Sequence, residues 1–387
     1  MPEVIILYMP MFVCFFWAVA LLVDAGKSDK AKTALGVFMS VSTILYFSHI
    51  VFFSSSEQFY TIIDPLYTLS SLSVFPLFYI YIRLLSKDIV FNPVVLWTLL
   101  PAFFFGACLA IIYSLLDEQE LRELAHKVIY KGKVDFIFSP MGKAGEIIYK
   151  AGRVTFLIQV VPFIYYSRKY ISEYNRSIEE FYSSTEGKNL TWVRLMTIIM
   201  ILTGIFAIIS GIIGRAYFAE SAALLAIPSF VFSIMLFSIG FLGFKQTHSI
   251  RDFRKDMMFK VIPKESCLSV QEKTRDKIKR DLIILLTERE FYRKTDLRIT
   301  DVSSELNTNR SYISNIVNLD FGTTFSDLIN SYRVVYAKKL LQENNLYVLD
   351  FIAEESGFAS VNSLLRAFKK ATGQTPGQYR KTMRENQ

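Results

Sequence analysis

His49, His126 and His248, with Cys14, Cys108 and Cys267, are the side chains of this chain best suited to nucleophilic, acid–base or metal chemistry. Such chemistry needs them in groups, with a base in reach of its nucleophile or several ligands around one ion. The three histidines lie in three separate regions. No Ser/His/Asp, Cys/His, paired-carboxylate or Gly-rich phosphate constellation emerges from the spacing. The cysteines form neither a metal pattern nor a disulfide framework, and buried apolar thiols are the expectation for them. No enzyme, no metal and no cofactor is expected. One carboxylate stands apart. Asp64, followed by Pro65, lies in an apolar stretch, where an ionisable group marks a functional site by default. A helix start at the membrane surface, with proline at its first position, explains the pair equally well.

The elements around these residues are mostly membrane-apolar. The chain has 387 residues, 52% apolar and 15% aromatic, with mean hydropathy +0.33. Soluble domains also approach half apolar composition, so the arrangement decides. Charge-free runs recur at 4–23, 33–56, 65–82, 89–116, 195–214 and 221–244. Each is near or above the roughly 18–20 residues that cross a bilayer as a helix. Seven spans are expected over 1–244. Six are these runs, the third beginning nearer Tyr60 and the fourth narrowed to 93–116. The fifth lies in "IIYKAGRVTFLIQVVPFIYYSRKY", where only residues 154–167 are uncharged and the basic ends would snorkel. Six spans is the alternative. Only Glu3 is charged ahead of the first run and no cleavage pattern follows, so that span is expected to stay as an anchor.

Basic residues in short loops orient the spans. Lys27, Lys30 and Lys32 follow span 1, Arg83 and Lys87 follow span 3, and Arg168, Lys169, Arg176 and Lys188 follow span 5. The loop "SSSEQ" between spans 2 and 3 has none. The expectation is a multi-pass protein of the inner (cytoplasmic) membrane with its N-terminus outside and its tail, from Lys245, in the cytoplasm. The outer loop 117–150 carries six basic and six acidic residues, the one local conflict with that orientation. Its "VIYKGKVDFIF" reads as a small hairpin around Lys131-Gly132-Lys133. As the largest exterior segment it is the obvious place for a signal or a partner protein, a plain connecting loop being the other reading. No GxxxG pair or repeated half stands out in the spans, which argues against an inverted-repeat transporter.

Residues 245–387 hold 25 Lys+Arg against 18 Asp+Glu, nearly the whole net charge of +8. A basic tail implies an anionic partner, nucleic acid or the inner leaflet. The connector 245–274 is basic with Phe253, Met257, Met258 and Phe259 interspersed. It either lies on the lipid bilayer or extends the last span. Short amphipathic helices follow. "RDKIKRDLIILLTER" (275–289) turns Ile278, Leu282, Ile283, Leu285 and Leu286 to one side. "ITDVSSELN" (299–307) reads as a helix capped by Thr300, turned by Asn307, and followed by Asn309 capping "RSYISNIVNL". A long helix spans 323–344. The pattern then returns: "YVLDFIAEES" with Val348, Phe351, Ile352 and Ala353 inward, a Gly357-Phe358 turn, Ser360 as cap, and "VNSLLRAFKKAT" ending at Gly373. "TPGQYRK" opens a last helix with a capping box of Thr375 and Gln378. Two helix-turn-helix units on a spacer suit double-stranded DNA, each second helix entering a major groove while Lys and Arg neutralise phosphates.

This tail resembles the tandem helix-turn-helix domain of AraC/XylS-type transcription regulators. The resemblance rests on "RSYISNIVN", "GTTFSDLINSYRVVYAKKLL" and "IAEESGFASVNSLLRAFKKATGQTPGQYR", and covers about residues 275–384. Joined to a multi-span region, it is similar to the membrane-bound regulators of that family. The implied fold is all-α: a seven-helix transmembrane bundle, the 245–274 connector, and a cytoplasmic tandem helix-turn-helix domain over 275–387. By position, the resemblance implies Arg310, Ser311, Ser314, Asn315 and Asn318 on the first reader and Val361, Asn362, Ser363 and Arg366 on the second. Asn315 and Asn362 suit adenine, and Arg366 suits guanine. Lys338, Lys339, Lys369, Lys370 and Arg380 are the phosphate candidates. Leu364 stands where the family usually has an aromatic, and Leu365 where a polar residue is common. The pair Val361/Leu365 either meets thymine methyl groups or packs internally.

The function implied is a membrane-embedded regulator. A signal at the spans would change dimerisation or orientation of the tail, with a homodimer and RNA polymerase as further partners. The alternative is a transporter or channel with a regulatory DNA-binding tail, which would predict charged residues along a midplane path. A histidine kinase would need a phosphoacceptor histidine and a Gly-rich nucleotide site in the tail, and both are missing from the sequence.

Overall fold

The apolar runs form helices, the one open-chain structure that satisfies every backbone N–H and C=O without water. The computed structural model describes residues 2–25, 29–54, 57–87, 91–128, 134–213, 222–246, 250–258, 272–343 and 346–385. Among them no β-strand occurs; the one backbone bridge pairs Tyr182 with Arg298. His248, Cys267, Lys27 and the Lys131-Gly132-Lys133 tip lie outside the described residues, as does 259–271 of the connector. The chain divides into two compact units, Met1–Ser172 with Leu190–Ile250, and Glu173–Asn189 with Arg251–Gln387.

The first unit holds α1 (Pro2–Ala25), α2 (Lys30–Ser54), α3 (Glu57–Ser86), α4 (Leu100–Leu115) after a 3-10 turn at Pro93–Leu99, and α5 (Glu118–Val128). It continues with the first part of α6 (Pro140–Phe181), α7 (Thr191–Ile213) and α8 (Ala222–Phe244). Helices α1 to α4 pack in chain order, and α8 packs against α1, α2 and α7. Among the described residues, six of these helices are long and apolar enough to cross a membrane, and the part Thr191–Phe206 of α7 is apolar as well. The fifth expected span lies within α6, which at 42 residues is about 63 Å long.

Polarity in this unit is inverted relative to a water-soluble core. Phe15, Phe16, Ile158 and Val161 are exposed, whereas Ser42, Ser48, Ser73 and Asp64 are buried. Buried hydroxyls donate back to their own helix, Ser42 to Phe38 O and Thr197 to Val193 O, both at 2.9 Å. Asp64 is fully buried within α3 and accepts from the Tyr113 hydroxyl at 3.1 Å. A helix start at the surface is therefore not its setting. Gly240 sits directly against the Trp17 indole and Gly243 against Leu35, so small residues let α8 approach α1 and α2 closely.

Of the hairpin expected around Lys131-Gly132-Lys133, residues 129–133 lie outside the described residues, and 134–139 carry no regular structure. Val134, Phe136 and Phe138 instead pack on a cluster with Leu109, Leu124 and Tyr149. Burying aromatic area outweighs what an isolated two-stranded ribbon would gain.

The second unit contains the end of α6, the segment 182–189, α9 (Ile250–Met258), α10 (Glu272–Thr287), and α11 (Ile299–Glu305) after a turn at Phe291–Arg293. Next come α12 (Arg310–Asn315), prolonged by a wider turn over Ile316–Asp320, and the spacer α13 (Phe325–Glu343). The unit ends with α14 (Leu349–Glu355), α15 (Val361–Thr372) and α16 (Pro376–Glu385). Its core joins Val334, Ala337 and Leu341 of α13 to Ile352 of α14 and Leu364 and Phe368 of α15.

Candidate nucleic-acid interface

Each reader begins where a side chain caps it. The Asn309 carboxamide accepts from Ser311 N at 3.1 Å, and the Ser360 hydroxyl accepts from Ser363 N at 3.1 Å. Asn307 takes φ 50° and Gly357 φ 81°, the left-handed conformations that turn one short helix into the next. Gly357 is obligatory in a second way: a Cβ there would lie 2.5 Å from the Arg293 carbonyl oxygen. Gly373 ends α15 at φ 77°. Thr375 and Gln378 form the expected capping box, with N–H to side-chain distances of 2.9 and 3.3 Å.

Three local expectations are corrected. Helix α11 is capped at Arg298, two residues ahead of Thr300, because the Asp301 carboxylate reaches back to Arg298 N at 2.9 Å, and Thr300 is buried inside the helix. Val348 is 63% and Phe351 39% exposed rather than inward. In α14 Ile352 and Ala353 are the buried residues and Leu349 packs beside them on the core, since α14 is two turns long and starts at Leu349.

On the first reader, Ser311 and Asn315 are exposed, and Asn318 donates to the Ser314 hydroxyl at 3.3 Å. Arg310 is half-buried with its guanidinium 5.9 Å from the Phe181 ring centre, and burial pulls its pKa down. On the second, Asn362 and Arg366 are exposed, and Val361 and Leu365 are half-buried. Leu364 is fully buried, as its position on the core face requires. Val361 packs on the cluster that holds Leu364. Arg366 Nε donates to Asn362 O at 3.3 Å.

The phosphate candidates differ in setting. Lys369 is exposed; Lys370 pairs with Asp327 at 2.7 Å, and Lys339 with Glu343 at 3.7 Å. The Lys338 ammonium stands 5.7 Å from the Tyr379 ring centre. Arg380 is half-buried and donates to Tyr347 O at 2.7 Å, which makes it a tie between α16 and the start of α14.

Four residues that no motif in the sequence singles out organise this unit. Arg333, fully buried on α13, donates to Tyr292 O at 2.8 Å, Lys294 O at 2.6 Å and the Ser183 hydroxyl at 3.1 Å. Desolvation lowers its pKa to about 10, so it stays charged near neutrality. The spacing does carry a sign of it, because Ile329, Arg333 and Ala337 share one stripe at i, i+4 intervals. Arg293 holds Glu355 O at 3.0 Å beneath Gly357. Glu186 and Ser183 come from the segment before α7 and carry no periodic sign at all. Among the described residues no cluster of His, Cys, Asp or Glu could hold a metal ion.

A family model described as a helix-turn-helix domain matches residues 302–382. An uncharacterized HTH-type transcriptional regulator of Bacillus subtilis (strain 168), YtdP, is 36% identical over 104 residues, 27% of this chain and 13% of that protein. A second from the same strain, YfiF, is 30% identical over 106 residues, 26% of this chain and 33% of that protein. An uncharacterized HTH-type transcriptional regulator of Staphylococcus aureus (strain MSSA476) is 33% identical over 91 residues, 24% of this chain and 12% of its own length. The chain thus spans no more than a third of these curated relatives. No solved structure matches. With two capped helices on one spacer, and with a family model matching them, residues 302–382 are an AraC-type helix-turn-helix domain.

Proposed function

We propose that the chain is a membrane-embedded, sequence-specific DNA-binding transcription regulator. The reading rests on one observation: six apolar helices of spanning length and two capped reader helices occur in the same chain. In this reading the N-terminus is outside, the C-terminal domain is in the cytoplasm, and the spans pass an external or intramembrane signal to the readers. The outward apolar and inward polar residues of the first unit support it, since lipid replaces water around such a bundle.

Arg310, Ser311, Ser314, Asn315 and Asn318 would face one major groove, and Val361, Asn362, Ser363 and Arg366 the next. Lys338, Lys339, Lys369, Lys370 and Arg380 would steady the phosphates. A signal shifts the equilibrium only if it binds one state of the spans better than the other. A homodimer on paired sites and contact with RNA polymerase belong to the same proposal.

The test is selection from random duplexes by the full-length chain in lipid nanodiscs. Enrichment of one bipartite motif, with affinity falling steeply as salt rises, supports it. Recovery of no preferred sequence at any salt concentration sinks it.

A further inference from the structure

Resting on that reading of the tail as a DNA reader, we infer that residues 181–188 form a latch seated on the DNA-reading face, with Glu186 occupying the place of a DNA phosphate. The Glu186 carboxylate accepts from the Ser360 and Ser363 hydroxyls at the N-terminus of α15, and pairs with Arg366 at 3.4 Å. A capped helix N-terminus with two hydroxyls is a donor set that a backbone phosphate uses, and the same carboxylate also occupies the guanidinium proposed for a base edge. Those hydrogen bonds, with Arg366 adding to them, hold the Glu186 carboxyl below its ordinary value.

The contact is not a lone ion pair. Phe181 stands under Arg310 of the first reader. Between these two ends the chain is fixed. Ser183 N donates to Leu297 O at 2.9 Å, and Ser183 O accepts from Ser326 of the spacer at 3.1 Å. The Ser183 hydroxyl accepts from the buried Arg333. Lys188 reaches Asp296 at 3.8 Å. One short segment therefore engages both readers and the helix between them.

Glu186 and a bound duplex cannot hold Ser360, Ser363 and Arg366 at once. Docking of the segment and binding of DNA are competing states, and the segment is the chain between α6 and α7. Whatever draws it off the readers frees the second reader for its groove.

The experiment compares wild type with E186Q and E186K, full-length in nanodiscs, on the motif that wild type selects. Thermal melting of each variant shows that it is folded. E186Q should bind roughly tenfold more tightly with unchanged sequence preference, because one charge-assisted contact no longer competes. E186K, which sets like charges against Arg366, should bind at least as tightly as E186Q. Equal or weaker binding by both folded variants, with wild type still selective, overturns the latch and leaves the regulator reading standing. Selection of no motif by wild type or variants removes both.

Discussion

Arg366 leaves the exposed side of α15 one turn beyond Asn362, and in the proposed reading it would meet a base edge once Glu186 is displaced. A guanidinium in that position pairs bidentately with guanine. Arg366→Ala should therefore lose selectivity at one base pair, by about 1–3 kcal/mol in a binding assay across all four bases at that position. Lys369 has no such geometry; it is an exposed cation on the last turn of the same helix. Lys369→Ala should weaken every sequence alike and reduce the salt slope by about one unit. A base-specific loss from the lysine variant would contradict both assignments. Gly357 belongs to this scale as well. Its φ of 81° and the Arg293 carbonyl at 2.5 Å from a Cβ forbid alanine. Gly357→Ala should destabilise the second unit by about 3 kcal/mol, read as an earlier transition in thermal unfolding of the purified chain.

At the scale of elements, the helices and most of their ends are legible in the sequence. Asn309, Ser360 and Gly373 announce helix ends by residue type alone, because a cap is a local event within one turn. Leu364 and Phe368 announce the core by their spacing. What escapes the sequence is decided by competition or by distance. Thr300 reads as the cap of α11 by residue type, but the reach of Asp301 back to Arg298 N starts the helix ahead of it. Val348 and Phe351 are apolar yet exposed, because a two-turn helix has too few residues to fix its rotation by pattern. Arg333 reads as one more basic residue, although it lies on an apolar stripe. Its carbonyl partners come from the turn before α11, and that proximity is written only in the fold. Arg333→Met should leave Tyr292 O and Lys294 O buried without their donor and cost about 3 kcal/mol of stability, measured by denaturant unfolding. A neutral outcome would mean that water replaces the guanidinium.

For the whole molecule, the apolar runs indicate a bundle and the charge distribution indicates which end meets an anion. The segment 182–189 shows in the sequence only as a short polar connection with two charges, because docking against distant partners leaves no period. The proposed orientation is checked by thiol labelling in a background lacking Cys14, Cys108 and Cys267. Gln119→Cys should react with a membrane-impermeant maleimide on intact cells, and Gly187→Cys only after permeabilisation. The reverse pattern would invert the topology and exclude cytoplasmic DNA as the partner.

The carboxylate of Glu186 on the second reader has one more consequence. Coupling between two binding events is reciprocal: the factor by which an undocked segment strengthens DNA binding is the factor by which DNA favours undocking. In the proposed regulator a duplex bound at the readers would therefore change the state of the chain between α6 and α7, and through it the affinity of the spans for what they would sense. A protein of the proposed kind would report promoter occupancy outward as well as carrying a signal inward. The strength of its external response would then depend on how many of its target sites the cell contains.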